Sequence, residues 1–359
     1  MTKVDFVLPQ TGIYLNAARM GLLPKATLEA GQQALLARSQ PQQITGDDFF
    51  AGVEALKKSF ARLIDTPDWQ RIALIPSVSY GIANAAQNVP WAPGDEVLIA
   101  DEQFPSNVYP WAVYAAIRRV PAAQLLESID ARTKVVALGT VHWSDGYCPD
   151  LVALRARSRA VGALLVLDGT QSVGALPLSV AALEPDALVV AGYKWLLGPY
   201  SLGLAYYGPA FDGGRPIEES WMNRLGASQF AGLSQYVSAY EPLARRYDVG
   251  EQSNFQLVPM LRTSLDLIQS VTPAAIQSHC RRISEAPLAA LQAQGWHLPE
   301  QHAYHLFGIH DPSDPTRAAR TYEALTAAGV HVSLRGDCLR ISPHLYNSEE
   351  DMWRVVLGD

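Results

Sequence analysis

Three runs in the middle of the chain, VVALGT at 135–140, ALLVLD at 163–168 and ALVVAG at 187–192, are apolar or small at consecutive positions rather than at alternate ones. A strand with one wet face alternates, so an uninterrupted run needs cover on both faces, and a parallel sheet between two layers of helix supplies it. Further β-rich runs occur at 71–76, 96–100 and 202–207, and stretches such as 80–88 and 150–161 have helix-compatible composition and length. The pattern predicts an α/β sandwich built on a mostly parallel sheet with right-handed crossovers.

Past about residue 247 the texture changes. A long helical stretch at 258–268, continuing beyond Pro273, leads to HLFGIH, PTRAARTYEALTAAG, VHVSL and CLRIS, a strand–helix–strand unit. The expected division is a large domain at 13–247 and a small α+β domain at 248–359, joined by residues 1–12. The segment 208–229, rich in Gly, Pro and polar residues, is expected to lie over the active-site side. A chain of 359 residues with 48% hydrophobic and 18% charged residues can bury two such cores. The net charge of −7, with no basic block, argues against nucleic acid or anionic membrane as a partner. No apolar run reaches the roughly 18 residues that span a bilayer, and the first residues lack a secretory apolar core. The three cysteines, Cys148, Cys280 and Cys338, lack metal-ligand spacing and read as free thiols of a cytoplasmic protein that binds no metal.

In an open parallel sheet, ligands sit beyond the carboxyl ends of the strands. One such end carries Asp168, a neighbouring one runs into Tyr193 and Lys194, and two others run into PSVSYG and DEQFPSNVYPW. A lysine and a carboxylate at adjoining strand ends suit pyridoxal 5′-phosphate: the amine bonds covalently to the cofactor, and the carboxylate pairs with the pyridinium nitrogen. Read singly, each residue has an ordinary alternative. Asp168-Gly169 is a turn signal; Arg340, in an alternating strand, suits a surface salt bridge; Phe104 and Trp143 serve equally as core aromatics; His142 reads as a structural histidine.

LLVLDGTQSVG, followed by VVAGYKWLLGPYSLG with Lys194 26 residues after Asp168 (194 − 168), resembles the class V aminotransferase and cysteine desulfurase-like family of fold-type I pyridoxal-phosphate enzymes. YLNAARMGLLP, EQFPSNVYPW, VHWSDGYCPDL, RYDVGEQSNF and LRISPHLYNSEEDM extend the resemblance along nearly the whole chain. It implies a large domain with a sheet of the seven-stranded type, Lys194 as covalent anchor and proton shuttle, and Asp168 on the ring nitrogen. Gln171 would meet the phenolic oxygen and Phe104 the ring face. Val78, Ser79 and the backbone N–H groups to Gly81 would cradle the phosphate, with Tyr193 contributing. Arg340 would clamp the substrate α-carboxylate beside Trp143, and Asn254 would face the cofactor of the partner in a homodimer. The substrate class is an amino acid.

The reaction is less determined than the cofactor. The family's desulfurases carry a nucleophilic cysteine on a mobile loop well before the arginine, whereas Cys338 stands two residues from Arg340, and they usually stack a histidine where this chain has Phe104. Transamination of a small amino acid is the expected reaction. A β-lyase of kynureninase or carbon–sulfur type is the alternative, and a non-catalytic cofactor-binding protein is a third.

Overall fold

The computed structural model describes residues 1–358. In chain order its strands are β1 (Ile13–Tyr14), β2 (Ile72–Ile75), β3 (Glu96–Ala100), β4 (Ala116–Val120), β5 (Thr133–Gly139), β6 (Leu164–Asp168), β7 (Ala187–Ala191), β8 (Gly203–Tyr207), β9 (Phe307–Ile309), β10 (Val330–His331), β11 (Ser333–Arg335) and β12 (Cys338–Ile341). Seven of them form the main sheet in the order β2-β8-β7-β6-β5-β3-β4. β4, β3, β5, β6 and β7 run parallel, and β8 is antiparallel to both its neighbours, β7 and β2. The three uninterrupted apolar runs become β5, β6 and β7 at the centre, where both faces are covered.

Alternation along these strands divides the core. Leu165, Leu167, Leu188 and Val190 face one layer, with Phe60 and Leu56 of helix Asp48–Leu63, Leu154 of helix Leu151–Val161 and Leu261 of helix Leu257–Val271. Val166, Ala187 and Val189 face the other, with Ile82 and Ala85 of helix Val78–Gln87 and with Trp111 and Tyr247. Each fully buried Leu, Val or Phe contributes roughly 1.5–3 kcal/mol relative to exposure. The edge strand β4 escapes a pattern search because AIRRV carries two arginines and is nowhere fully buried. Arg118 pairs with Glu96 and Asp130 there, and charge on an edge discourages further strands from adding.

The second sheet, β11-β12-β9, is antiparallel and packs on helices Pro273–Ala293, Arg317–Ala327 and Glu349–Leu357 through Leu339, Ile341, Leu291, Leu325 and Val355. β1 pairs with β10, and Leu15 enters this same cluster. The helical stretch read as one run breaks at Thr272, whose φ is 74°. Thr272 Oγ1 accepts from the Ala275 N–H and Pro273 takes the first helical position, so a second helix starts in a new direction. No helix of the described residues is long and apolar enough to cross a membrane.

Candidate active site

The turn after β6 fixes Asp168. The Thr170 N–H donates to Asp168 Oδ1 at 3.0 Å, Thr170 Oγ1 accepts from the Ala191 N–H at 3.1 Å, and the Gly169 N–H donates to the Val189 carbonyl at 2.8 Å. One threonine thus ties the carboxylate to the end of β7, three residues before Lys194. Sequence reasoning passed over Thr170, although an Asp bonding the N–H two residues on is a recognisable local turn. Past Lys194 the backbone is strained, with Leu197 (φ 54°) and Ser201 (φ 64°) in the left-handed region. The N-terminal segment closes against it: the Gly21 N–H donates to the Tyr193 carbonyl at 2.9 Å, and a Cβ on Gly21 would stand 2.2 Å from the Lys194 carbonyl oxygen.

The strand ends enclose a cavity of ≈ 290 Å³ whose lining includes Val78, Ser79, Phe104, Trp143, Asp168, Gln171, Tyr193 and Lys194. Lys194 is 7% exposed. Burial pushes its amine down to about 8, against the pull of Asp168, and the cations of Arg340 and Arg335 add to the depression. Burial likewise holds the Asp168 carboxyl above the usual carboxylate range, although Thr170 and Lys194 oppose it. A buried carboxyl of this kind favours a cationic partner close by.

The Phe104 ring centroid lies 5.5 Å from Lys194 Nζ, and Trp143 meets Phe104 edge-on at 5.5 Å. Gln171 is locked: its Nε2 donates to the Ala18 carbonyl and its Oε1 accepts from Trp195 Nε1, leaving the second amide hydrogen for a ligand. Opposite, Ser77 caps helix Val78–Gln87 by accepting from the Tyr80 N–H and bonds the Ser79 hydroxyl at 3.0 Å. Two hydroxyls at the N-terminus of a helix of ten residues suit an anion. Ser77 belongs with the residues passed over, and a serine ahead of a helical run is a capping signal. His142 also lines the cavity. Burial lowers its pKa, but the Asp145 carboxylate, 2.8 Å from Nδ1, outweighs this and the net shift is upward.

Arg340 adjoins the cavity rather than lining it. It is 2% exposed; Nη1 donates to the Trp143 carbonyl at 2.8 Å, while Nε and Nη2 have no partner among the described residues. Asn254 lies apart from the cavity within this chain, in a groove with Gln33, Phe255 and Pro259, where its Oδ1 accepts from the N–H groups of Gln256 and Leu257. The segment 208–229, expected over the active-site side, lies elsewhere. Its Arg215 carbonyl accepts from Gln87 and Asn88 at the far end of helix Val78–Gln87 from Ser77, and it supplies none of the cavity's lining residues. Asp248 in RYDVGEQSN is structural: its Oδ2 pairs with buried Lys57 at 2.5 Å and its Oδ1 accepts from the Leu74 N–H.

The residues present fit a covalently held pyridoxal 5′-phosphate: a buried amine of depressed pKa, a buried carboxyl, an aromatic ring and a hydroxyl-bearing helix terminus share one cavity. Residues 13–355 match the family model described as "Aminotransferase class-V". An uncharacterized aminotransferase of Bacillus subtilis, YcbU, is 29% identical over 84% of this chain and 82% of its own length. The cysteine desulfurase CsdA of Escherichia coli is 27% identical over 69% of this chain and 71% of its own. Among solved structures, a variant of C-DES with glycine covalently linked to its PLP cofactor superposes with a TM-score of 0.88 at 21% identity, covering 99% of this chain and 98% of that one. CsdA superposes at 0.83 with 20% identity, covering 99% and 96%. The fold is thus that of these fold-type I enzymes, and the chain belongs to the class-V aminotransferase family.

Proposed function

We propose that this protein is a pyridoxal 5′-phosphate enzyme that transaminates an amino acid, with the cofactor on Lys194 and the substrate carboxylate on Arg340. The observation that carries the reading is the joint placement of Lys194 and Asp168 in one cavity with Arg340 beside it, whose Nε and Nη2 have no partner among the described residues. When bound, the cofactor supplies an electron sink for the pair left on the substrate α-carbon as its proton departs. Lys194 Nζ, largely uncharged once pH passes about 8, removes that proton and returns it. Asp168 holds positive charge at the ring nitrogen, Phe104 covers the ring face and excludes water, and Gln171 donates its remaining amide hydrogen to the phenolic oxygen. The Ser79 hydroxyl and the N–H groups of Val78 and Ser79 hold the phosphate, with Tyr193 at its side; the expected N–H groups of Tyr80 and Gly81 are already given to Ser77 Oγ and the Ser77 carbonyl. Trp143 walls the substrate side. The protein acts as a homodimer, with Asn254 turned toward the partner's cofactor.

β-Elimination begins with the same proton removal, so product analysis separates the two. An amino acid given with an acceptor keto acid yields a new keto acid and a new amino acid in transamination, and ammonia in elimination. Keto acid released together with stoichiometric ammonia would replace transamination by the lyase reading.

Sulfur transfer through a cysteine is the reading that the packing disfavours. Cys338 is buried, and burial pushes its thiol up to about 12. Its Sγ sits 3.8 Å from the Ser144 carbonyl and 2.2 Å from where a Cβ on Gly308 would stand. A thiol fixed between β9 and the loop at Ser144 and kept protonated is a poor nucleophile. Cys338→Ser therefore leaves turnover unchanged, and mass spectrometry of the wild type after incubation with cysteine finds no persulfide at Cys338. A persulfide there, with sulfur release lost in the serine variant, would reverse this conclusion.

The clamp has its own test. A guanidinium holds a carboxylate through two parallel hydrogen bonds that an ammonium cannot reproduce. Arg340→Lys weakens amino-acid binding by about 1.5–3 kcal/mol, the range for hydrogen bonds to charged groups. It leaves the absorbance of bound cofactor unchanged. Titrating that absorbance with amino acid in both proteins reads the difference, and equal affinities would make Arg340 structural.

A further inference from the structure

Arg340 is not the only unpaired cation at this place. β11 and β12 run antiparallel with Ser333 opposite Arg340 and Arg335 opposite Cys338. Opposed residues share a face of a sheet, as do residues two apart on one strand. Arg335 and Arg340 are therefore diagonal neighbours on one face. The Arg335 guanidinium carbon lies 5.8 Å from the Trp143 ring centroid, and the Trp143 carbonyl holds Arg340 Nη1 at 2.8 Å. Trp143 leads on to Phe104 and Phe104 to Lys194 Nζ, each step 5.5 Å, so two aromatic rings, Trp143 and Phe104, connect Arg335 to the reacting amine. A third arginine, Arg19, follows the bridge of Asn16 to Ser342, two residues beyond Arg340, and it is exposed.

Several arginines elsewhere find carboxylates, as Arg118 finds Glu96 and Asp130 and Arg320 finds Asp314. No carboxylate pairs with Arg19, Arg335 or Arg340 among the described residues; Arg335 Nη1 donates only to the Leu334 carbonyl. Like charges on one face of a sheet repel, and burial, Arg335 and Arg19 together push Arg340 down to about 9. One α-carboxylate on Arg340 neutralises a single guanidinium and leaves Arg335 and Arg19 uncompensated.

We propose that the substrate is an α-amino acid whose side chain ends in a second anion, a carboxylate, sulfinate or sulfonate, which Arg335 holds with Arg19 at the rim. The proposal rests on the reading of Arg340 as the α-carboxylate clamp. The guanidinium carbon of half-buried Arg335 lies over the Trp143 ring, so its fork is held where two oxygens of an anion can accept parallel bonds from it.

Unreactive anions test the subsite apart from turnover. Butyrate, with one carboxylate, and glutarate, with two, are titrated calorimetrically into cofactor-loaded wild type, Arg335→Gln, Arg19→Gln and Arg340→Gln. Wild type binds glutarate about tenfold or more tighter than butyrate, the scale of one charged hydrogen-bonding contact. Arg335→Gln erases that advantage and leaves butyrate affinity unchanged, Arg19→Gln reduces it in part, and added salt weakens glutarate more than butyrate. Glutarate binding no better than butyrate in wild type, or an advantage that survives Arg335→Gln, overturns the second-anion site. Butyrate binding that is unaffected by Arg340→Gln overturns the clamp instead, and a glutarate advantage still lost in Arg335→Gln then leaves the second site standing without it.

Discussion

Lys194→Ala protein, loaded with pyridoxal 5′-phosphate, treated with borohydride and denatured, retains no cofactor, whereas wild type keeps it on the peptide containing Lys194. The expectation follows from burial. An ordinary lysine is protonated below its usual value of 10.5, but enclosure among apolar walls brings the Lys194 amine down to about 8. Only the uncharged amine is a nucleophile. Covalent capture of cofactor by the cofactor-free wild type therefore rises with pH, passes its midpoint near 8 and levels off above it. A surface lysine would still be gaining reactivity two units higher. The alanine variant loses turnover as well, because the α-proton has lost its acceptor. An adduct of unchanged yield in Lys194→Ala, or a capture curve still climbing toward 10.5, would remove Lys194 from this place.

What the sequence made legible follows from how locally each feature is encoded. β5, β6 and β7 were readable because a strand covered on both faces has no polar positions to blur it, and the strand ends carrying Asp168 and Lys194 came with them. β4 was not, because an edge strand takes half its environment from solvent and its arginines look like loop residues. Thr170 and Ser77 act through hydrogen bonds two or three residues away, so the turn and capping rules that identify them needed only to be applied. Arg335 is different in kind. In sequence it is one arginine in VSLRGDCLRIS; only the register that sets it opposite Cys338, and the approach of Trp143 from another part of the chain, place it with Arg340 near the cavity. Such pairings are made by tertiary structure and leave no periodic trace. The helix break at Thr272 was visible as Thr-Pro, yet an apolar pattern running through it suggested continuity.

Asp168→Asn slows exchange of the substrate α-proton by roughly 10²–10³, the scale on which removal of one fixed charge or donor acts in a water-excluded site. The amide is nearly isosteric and can still accept from the Thr170 N–H, so the turn that orders the ends of β6 and β7 survives, along with the covalent link at Lys194 and the melting temperature. What changes is charge. Buried in the cavity, the Asp168 carboxyl is held above the usual range despite the Thr170 hydrogen bonds, and a cation beside it stabilises the anion further. A protonated ring nitrogen is such a cation, and each then stabilises the other. Asparagine offers no compensating charge, so a ring held there would draw less electron density from the α-carbon, and removal of the α-proton by Lys194 would slow. Deuterium incorporation at the α-carbon, followed by NMR in heavy water, measures that step alone, without dependence on how the reaction ends. Equal incorporation in wild type and variant would mean that the ring nitrogen takes its proton from another group, and Asp168 would be left as the turn residue that Asp-Gly suggests when read alone.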